Sequence, residues 1–287
     1  MKHGITGIDH PVIAVRDLDG ARKTYERLGF TIPPRGRHPL WGTGNLCIMF
    51  ENDYLELRGV IDSTEYTKKL EAFLDTREGL MGTALGTDNA KATFESLTTS
   101  GVDPNPVHEL TRSFELPEGT EEVRFALSFL KEEDSLGLMN VVLCQHLTPE
   151  KIRRPEWLQH ANGVMGVHSL TSVVTEIDRT ELAMQRLFGA SNVNRIDNSL
   201  TARTSPDSYI EFLRPSDIGA RLGPTTPSPP PHPPYLACVT LTVQDLAKSQ
   251  SYLKSVGVDS VPGPKESLLL NPKDTCGVSL ELVDGLD

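Results

Sequence analysis

The fold is decided by the first strand and helix of the chain, residues 5–30, ITGIDHPVIAVRDLDGARKTYERLGF. Residues 5–15 alternate in the manner of a β-strand, and residues 18–28 have helical character that ends at Gly29, a typical C-terminal cap. Short apolar runs separated by turn-forming clusters come next, at residues 30–32, 45–50 and 54–60. The predicted order is one strand, one helix and three strands, which we call a βαβββ module.

The same order of elements is repeated along the chain. Residues 243–258, VQDLAKSQSYLKSVGV, align without a gap on residues 15–30, and a Val, an Asp, a Leu and a Gly coincide. A third copy begins at residue 166, with its closing strand predicted at residues 208–215, and a less regular second copy covers residues 81–146. Because long repeats indicate units that share a buried face, we predict an α+β fold of four modules that pair into two ligand-sized cups.

The length of 287 residues exceeds the usual range of a single domain and favours two. We predict a first domain at residues 1–147, which holds modules one and two, and a connection at residues 148–163. Residues 164–287 form the predicted second domain with modules three and four. Within it, the proline-rich segment TTPSPPPHPP at residues 225–234 is expected to be an extended strap between the two modules.

The composition limits the partners of the protein. It has 28 Lys and Arg against 39 Asp and Glu, a formal net charge of −11, and no basic stretch suited to nucleic acid. No segment reaches the length of a membrane span, and no apolar signal-peptide core is found, so we expect a cytoplasmic protein without a membrane partner. The four cysteines are scattered and are expected to be reduced thiols. The expected partner is a small-molecule substrate, and a homodimer is left open.

Paired modules with a histidine in the first strand and a glutamate in the last resemble the vicinal-oxygen-chelate superfamily. The segments GIDHPVIAV (7–15), RGRHPLWGTGN (35–45) and DYLELRG (53–59) look like the opening module of its glyoxalase-like group. The resemblance implies two barrels of the glyoxalase/bleomycin-resistance/extradiol-dioxygenase type. It also implies a divalent metal on the floor of a cup, where the metal chelates two neighbouring oxygens of a substrate or intermediate.

Two modules contain the histidine and the glutamate that the resemblance implies as metal ligands. His10 and Glu56 are 46 residues apart in module one, and His168 and Glu211 are 43 residues apart in module three. An imidazole and a carboxylate suit Zn, Fe, Mn, Co or Ni. The expected cofactor is therefore a divalent transition metal.

The partner modules depart from the superfamily pattern. Module two has Met81 and Thr83 where a third ligand is expected, and His146, at the end of its last strand, is the candidate substitute. Module four has Cys238 in place of the histidine, and Glu281 is expected to face solvent on an outer strand. The sequence leaves open whether either cup holds a metal.

Five further residues of module one are predicted to contact the substrate: His38, Trp41, Asn45, Tyr54 and Arg58. Tyr54 and Arg58 share a strand face with Glu56, and a polar row on an inward face suggests the lining of a cavity. The indole of Trp41 could stack on a planar ligand or only stabilise its loop. Arg58 could pair with a substrate carboxylate or only with Glu56.

These features predict a metal-dependent enzyme that acts on a small oxygenated organic molecule. The metal would polarise a carbonyl, enolate or catecholate, and Glu56 would be the catalytic general base. Isomerase or lyase, ring-cleaving dioxygenase and hydrolase chemistry are all compatible with this pattern. The alternative is a metal-free protein that binds or sequesters a small molecule in the same cup, as bleomycin-binding relatives do, and the incomplete ligand set favours it.

Overall fold

The computed structural model describes residues 2–116, 119–228 and 231–285. Module one consists of β1 (Ile5–Ala14), α1 (Leu18–Arg27), β2 (Gly36–His38), β3 (Thr43–Met49) and β4 (Tyr54–Val60). The helix α2 (Lys68–Thr76) leads into module two, which consists of β5 (Gly79–Thr87), α3 (Ala90–Thr99), β6 (His108–Leu116), β7 (Gly119–Phe129) and β8 (Val142–His146).

The second half of the chain has the same order of elements. Module three consists of β9 (Val164–Val173), α4 (Ile177–Phe188), β10 (Val193–Ile196), β11 (Ser199–Arg203) and β12 (Tyr209–Leu213). After the short helix α5 (Ile218–Leu222), module four consists of β13 (Tyr235–Val243), α6 (Leu246–Ser255), β14 (Ser260–Pro262), β15 (Leu268–Leu270) and β16 (Ser279–Asp284). The predicted α+β fold of four βαβββ modules is confirmed.

The strands of modules one and two close into a barrel in the order β1-β4-β3-β2-β6-β7-β8-β5. The strand β1 is parallel to β4 of its own module and antiparallel to β5 of its partner, and β2 pairs with β6 on the far side. Modules three and four also join through their first strands, β9 and β13. Their sheet has the order β10-β11-β12-β9-β13-β16-β15-β14, and its two end strands are not paired with each other among the described residues.

One continuous apolar core contains side chains from all four modules. Polar contacts also join the two halves. The Tyr25 hydroxyl donates to the carbonyl of Thr275 at 3.1 Å, and the backbone N–H of Val167 donates to Asp53 Oδ1 at 2.9 Å. The domain boundary at residues 148–163 stays a prediction. Among the described residues, no helix combines the length and the apolar character needed to cross a membrane.

The strand predicted at residues 30–32 is wrong, because this segment completes the end of α1. The backbone N–H of Phe30 donates to the carbonyl of Tyr25 at 3.1 Å, so it is not available to a sheet. Pro33 and Pro34, which follow, have no N–H to donate. Pairing therefore starts later, at Gly36, the first residue of β2.

The proline strap predicted at residues 225–234 begins in a turn. Gly223–Thr225 form a short 3-10 helix, and the Thr226 N–H donates to the carbonyl of Gly223 at 3.2 Å. Residues 229 and 230 of the predicted strap lie outside the described residues. The role of the strap as a linker stays a prediction.

Candidate functional site

A cavity of about 90 Å³ lies inside the first barrel. Because a buried water needs about 10–15 Å³, the cavity has room for roughly six to nine water-sized groups. One end is polar and the walls are largely aromatic or aliphatic. The lining includes two predicted metal ligands and all five predicted substrate contacts: His10, Glu56, His38, Trp41, Asn45, Tyr54 and Arg58.

A bulge in β1 places two neighbouring residues, Asp9 and His10, on the inside of the barrel. Ile8 pairs with Leu85 and His10 pairs with Ala84, so β1 has an extra residue at this point relative to β5. His10 Nδ1 lies 2.6 Å from Asp9 Oδ2. Because an ionised carboxylate only accepts hydrogen bonds, Nδ1 is the donor and Nε2 is left to face the cavity.

Asp9 also accepts a hydrogen bond from His146, which lies at the end of β8. His146 Nε2 is 2.9 Å from Asp9 Oδ1. Burial by itself would raise the pKa of Asp9, but His146 and His10 together hold that pKa below its usual range. Asp9 is therefore an ionised carboxylate that orients two imidazoles from two different modules.

Glu56 lies on β4 beside His10 and is almost fully enclosed. His10 Nε2 is 3.4 Å from Glu56 Oε2. The Arg58 guanidinium donates to both carboxylate oxygens, at 2.6 Å from Nη2 and 3.2 Å from Nε, and Asn45 Nδ2 donates to Oε1 at 2.6 Å. Burial opposes ionisation, but Arg58 and His10 reverse that effect and hold the pKa of Glu56 well below its usual range.

The aromatic side chains hold the polar groups in position. The ring of Tyr54 stacks on His10 with 4.2 Å between centroids, and the ring of Trp41 stacks on His38 at 5.4 Å. His38 Nδ1 is 3.0 Å from Thr43 Oγ1. Burial, with a contribution from Arg58, lowers the pKa of His38 to about 3, so its imidazole is neutral near pH 7.

Arg112, which the sequence analysis missed, reaches the same cavity from β6. Its side chain is 2% exposed, and Nη1 donates to Cys47 Sγ at 2.9 Å. The guanidinium lies 4.4 Å from the centre of the Phe114 ring. The signal in the sequence was a charged residue on the inward face of an alternating strand, between Leu110 and Phe114.

In the second half, the predicted residues His168 and Glu211 have separate partners. The ring of His168 packs edge-on against Tyr209 at 5.2 Å, and Glu211 Oε2 accepts from Arg221 Nε at 3.0 Å. Within the described part of the chain, no hydrogen bond or ion pair joins His168 to Glu211. The role of this pair as metal ligands stays a prediction.

The prediction that Glu281 faces solvent is wrong. Glu281 is 2% exposed because β16 lies between β13 and β15. Its carboxylate accepts hydrogen bonds from Thr240 at 2.7 Å, from Ser267 at 2.6 Å and from Arg221 at 2.5 and 3.1 Å. The guanidinium of Arg221, from α5, therefore occupies the space between two carboxylates of the second half.

A family model described as a glyoxalase-like domain matches residues 8–188. The chain belongs to this glyoxalase-like family. The match contains module one from its fourth residue onward, all of module two, and the first strand and helix of module three. The predicted resemblance to the vicinal-oxygen-chelate superfamily is confirmed. A search of curated proteins found no significant match to the sequence.

Solved structures share the architecture of this glyoxalase-like chain at low sequence identity. A hypothetical protein from Staphylococcus aureus has a TM-score of 0.69 and 12% identity, and the match covers 97% of this chain and 99% of that one. A variant of 4-hydroxymandelate synthase from Streptomyces coelicolor has a TM-score of 0.63 and 11% identity, and the match covers 98% of this chain and 93% of that one. A fusion of a xylose isomerase-like TIM barrel with 4-hydroxyphenylpyruvate dioxygenase has a TM-score of 0.59 and 13% identity. That match covers 99% of this chain and 49% of the fusion protein. At these identities the likeness is one of fold alone.

The first barrel provides two donor atoms that suit the divalent metal implied by the glyoxalase-like fold. Metal bonds of about 2.1 Å at a tetrahedral angle separate two ligand atoms by about 3.4 Å, and His10 Nε2 is 3.4 Å from Glu56 Oε2. The contact of Asp9 with His10 Nδ1 is the usual outer-shell support of a metal-bound histidine. The pair thus supplies two of the donor atoms that a metal at this place would need.

The third protein ligand does not follow the superfamily pattern. Among the described residues, module two contributes no imidazole or carboxylate to the cavity lining, but it does contribute the Cys144 thiol. The predicted substitute, His146, instead belongs to a cluster with Asp9 and Cys144 whose ligand atoms all lie within 4.8 Å of one another. Cys144 and Asp9 were missed because the bulge that brings them together depends on the pairing of distant strands.

Proposed function

We propose that the first barrel is the active site of a divalent-metal-dependent enzyme that acts on a small oxygenated organic molecule. The observation that carries this proposal is the His10–Glu56 pair. It presents an imidazole nitrogen and a carboxylate oxygen 3.4 Å apart at the polar end of the cavity. A metal bound there supplies a Lewis acid for a carbonyl or enolate oxygen.

The neighbouring side chains orient His10 and Glu56. Asp9 holds Nδ1 of His10, so that Nε2 is directed toward Glu56. Burial by itself would lower the pKa of His10, but Asp9 and Glu56 raise it, so Nε2 would have to lose a proton to bind a metal. Arg58 and Asn45 hold the Glu56 carboxylate in one orientation. The low pKa of Glu56 makes it a weak base. It therefore suits the removal of a proton that an adjacent carbonyl has already made acidic.

The walls of the cavity favour a small planar substrate. Trp41, Phe125 and Phe129 offer aromatic surface, and the volume accommodates fewer than about ten non-hydrogen atoms. Exclusion of water by these walls strengthens the electrostatic interactions at the polar end. Isomerase or lyase, dioxygenase and hydrolase reactions are all compatible with such a site.

A metal-free binding protein is the second candidate function. The observation that favours it is the full engagement of Glu56, because both carboxylate oxygens already accept hydrogen bonds from Arg58 or Asn45. The cavity lining also contains no third carboxylate or imidazole from module two within the described residues. In this case the cup would bind a small molecule without changing it.

Elemental analysis distinguishes the two functions. The protein is purified without chelator or a nickel column, and the metal content of His10→Ala and Glu56→Gln is compared with that of the parent. For the enzyme we expect a stoichiometric transition metal in the parent and its loss in both variants. His168→Ala and Glu211→Gln are the matched controls in the second half and should keep it.

Two results would contradict the proposal. A parent protein without metal, whose ligand binding is unaffected by EDTA, supports the binding protein. Metal that is retained in His10→Ala and Glu56→Gln but lost in His168→Ala places the site in the second half of the chain.

A further inference from the structure

Arg112 is a buried cation with unused hydrogen-bonding capacity. Its side chain is 2% exposed, and it lines the cavity of the first barrel. Nη1 donates to Cys47 Sγ, whereas Nε and Nη2 have no hydrogen-bond partner among the described residues. Buried donors are nearly always paired, and a buried charge without a counter-ion is strongly unfavourable.

The neighbouring groups favour the charged form of Arg112 without forming a hydrogen-bonded ion pair with it. Burial alone would lower the pKa of Arg112, but Cys47 and Glu56 are among the neighbours that raise it. Burial raises the pKa of Cys47 to about 11 even with Arg112 beside it, so the thiol is uncharged near pH 7 and is a weak acceptor. Glu56 is the nearest carboxylate of the lining, but its two oxygens are held by Arg58 and Asn45. Because arginine stays protonated near pH 7, the Arg112 guanidinium places a positive charge in the cavity wall.

The surrounding residues hold the guanidinium rigidly. Its central carbon lies 4.4 Å from the centre of the Phe114 ring and 5.4 Å from that of Phe125. Gly36 makes room for it, because a Cβ at this position would lie 2.9 Å from Arg112 Cδ and 2.3 Å from Asn45 Oδ1. Asn45 Oδ1 is itself a buried acceptor without a partner.

An unpaired Nε–Nη2 edge is the part of an arginine that binds a carboxylate through two parallel hydrogen bonds. We propose that Arg112 binds the carboxylate of the substrate in this way, so that the substrate class is a small carboxylic acid with an apolar, planar body. Asn45 Oδ1 accepts a hydrogen bond from a hydroxyl of the same molecule. This inference rests on the proposed function in taking the first-barrel cavity as the substrate site.

Titration calorimetry with small probes tests this inference on the full chain. The probes are benzoate, pyruvate, neutral benzamide of the same shape as benzoate, and inorganic phosphate. We expect the parent to bind benzoate at least tenfold more tightly than benzamide or phosphate. Arg112→Lys keeps the positive charge but cannot form two parallel hydrogen bonds with a carboxylate, so it should bind benzoate about tenfold more weakly. Arg112→Met should show no measurable binding.

Unfolding temperature provides a second measurement on the same samples. Without ligand, Arg112→Met should unfold at the same or a higher temperature than the parent, because it removes a buried charge that has no hydrogen-bonded counter-ion. A purely structural arginine would instead make this variant less stable. Arg124→Met is the control, since Arg124 lies on the neighbouring strand β7 and is 54% exposed in its pair with Glu109.

Several outcomes would overturn the inference. One is a parent protein that binds benzoate and benzamide equally well, or that binds no carboxylate at all. Another is a parent that binds phosphate more tightly than benzoate or pyruvate. A third is benzoate binding that is undiminished in both Arg112 variants. Metal content measured in parallel separates the two proposals. Carboxylate binding that depends on Arg112 in a metal-free protein would leave this inference standing and contradict the metal-dependent enzyme.

Discussion

Arg221 donates to the two carboxylate oxygens of Glu281 at 3.1 and 2.5 Å, in the half of the molecule where we predicted a second metal site. The same guanidinium contacts Glu211 at 3.0 Å. The guanidinium of Arg221 thus lies between two carboxylates of the second half, much as Arg58 pairs with Glu56 in the first barrel. In the first barrel, by contrast, the Arg112 guanidinium has no such partner among the described residues.

Loss of Arg221 should destabilise the second half. Arg221→Met leaves Glu281 as a buried carboxylate without its counter-ion, and we expect the free energy of unfolding to fall by about 3 kcal/mol. Urea unfolding followed by circular dichroism measures this change. The control is Arg179→Met, in an exposed pair with Glu176 where the side chains are 61% and 58% exposed; it should unfold like the parent. Equal stability of both variants would show that the contact with Glu281 has no structural role.

A methyl group at position 36 should weaken the first-barrel site. Gly36→Ala places a Cβ 2.3 Å from Asn45 Oδ1, so that side chain or its strand must shift. We expect about tenfold weaker binding of benzoate in the calorimetric titration. Gly219→Ala is the matched control, because a Cβ there meets nothing within 4 Å and alanine suits a helix better than glycine. The same Cβ would lie 2.9 Å from Arg112 Cδ, so unchanged binding by Gly36→Ala would contradict the dependence of benzoate binding on the position of Arg112.

The contribution of Asp53 to stability should fall as the pH rises from about 4 to about 7. Burial raises the pKa of Asp53 to about 7, although the Val167 N–H opposes this effect. The folded state holds the proton of the Asp53 carboxyl more tightly than the unfolded chain does. Its stabilising contribution is therefore complete below pH 4 and is lost as the pH passes 7. Asp53→Asn should therefore unfold at a higher temperature than the parent at pH 8, and the difference should shrink at pH 4.5. If Asp53→Asn unfolded at a lower temperature than the parent at pH 8, the raised pKa of Asp53 would be contradicted.

Tryptophan fluorescence should report ligand binding in the first-barrel cavity. The chain has two tryptophans, and Trp41 lines the cavity whereas Trp157 packs on Phe114 with 5.9 Å between ring centres. In Trp157→Phe, benzoate should change the emission of Trp41 in a saturable way. In Trp41→Phe the response should be much smaller. A full response without Trp41 would contradict a contact between the ligand and the Trp41 indole.

The repeated modules could be predicted from the sequence because they depend on local physics. Alternation of apolar residues predicts strands, and the capped helix after β1 was predicted at residues 18–28 and is observed at Leu18–Arg27. The same alternation placed Glu56 and Arg58 on one strand face, and both line the cavity. Each of these features extends over fewer than a dozen neighbouring residues.

The features that only the tertiary structure decided depend on partners far away in the chain. Asp9 reaches the inside of the barrel through a bulge set by the register of β1 against β5. Arg112 lacks a hydrogen-bonded counter-ion among the described residues because Arg58 and Asn45 engage the oxygens of Glu56. Arg221 meets Glu281 across 60 residues. A sequence pattern specifies which way a side chain points along its own strand. The charge it then faces is decided by the packing of strands and helices from other modules.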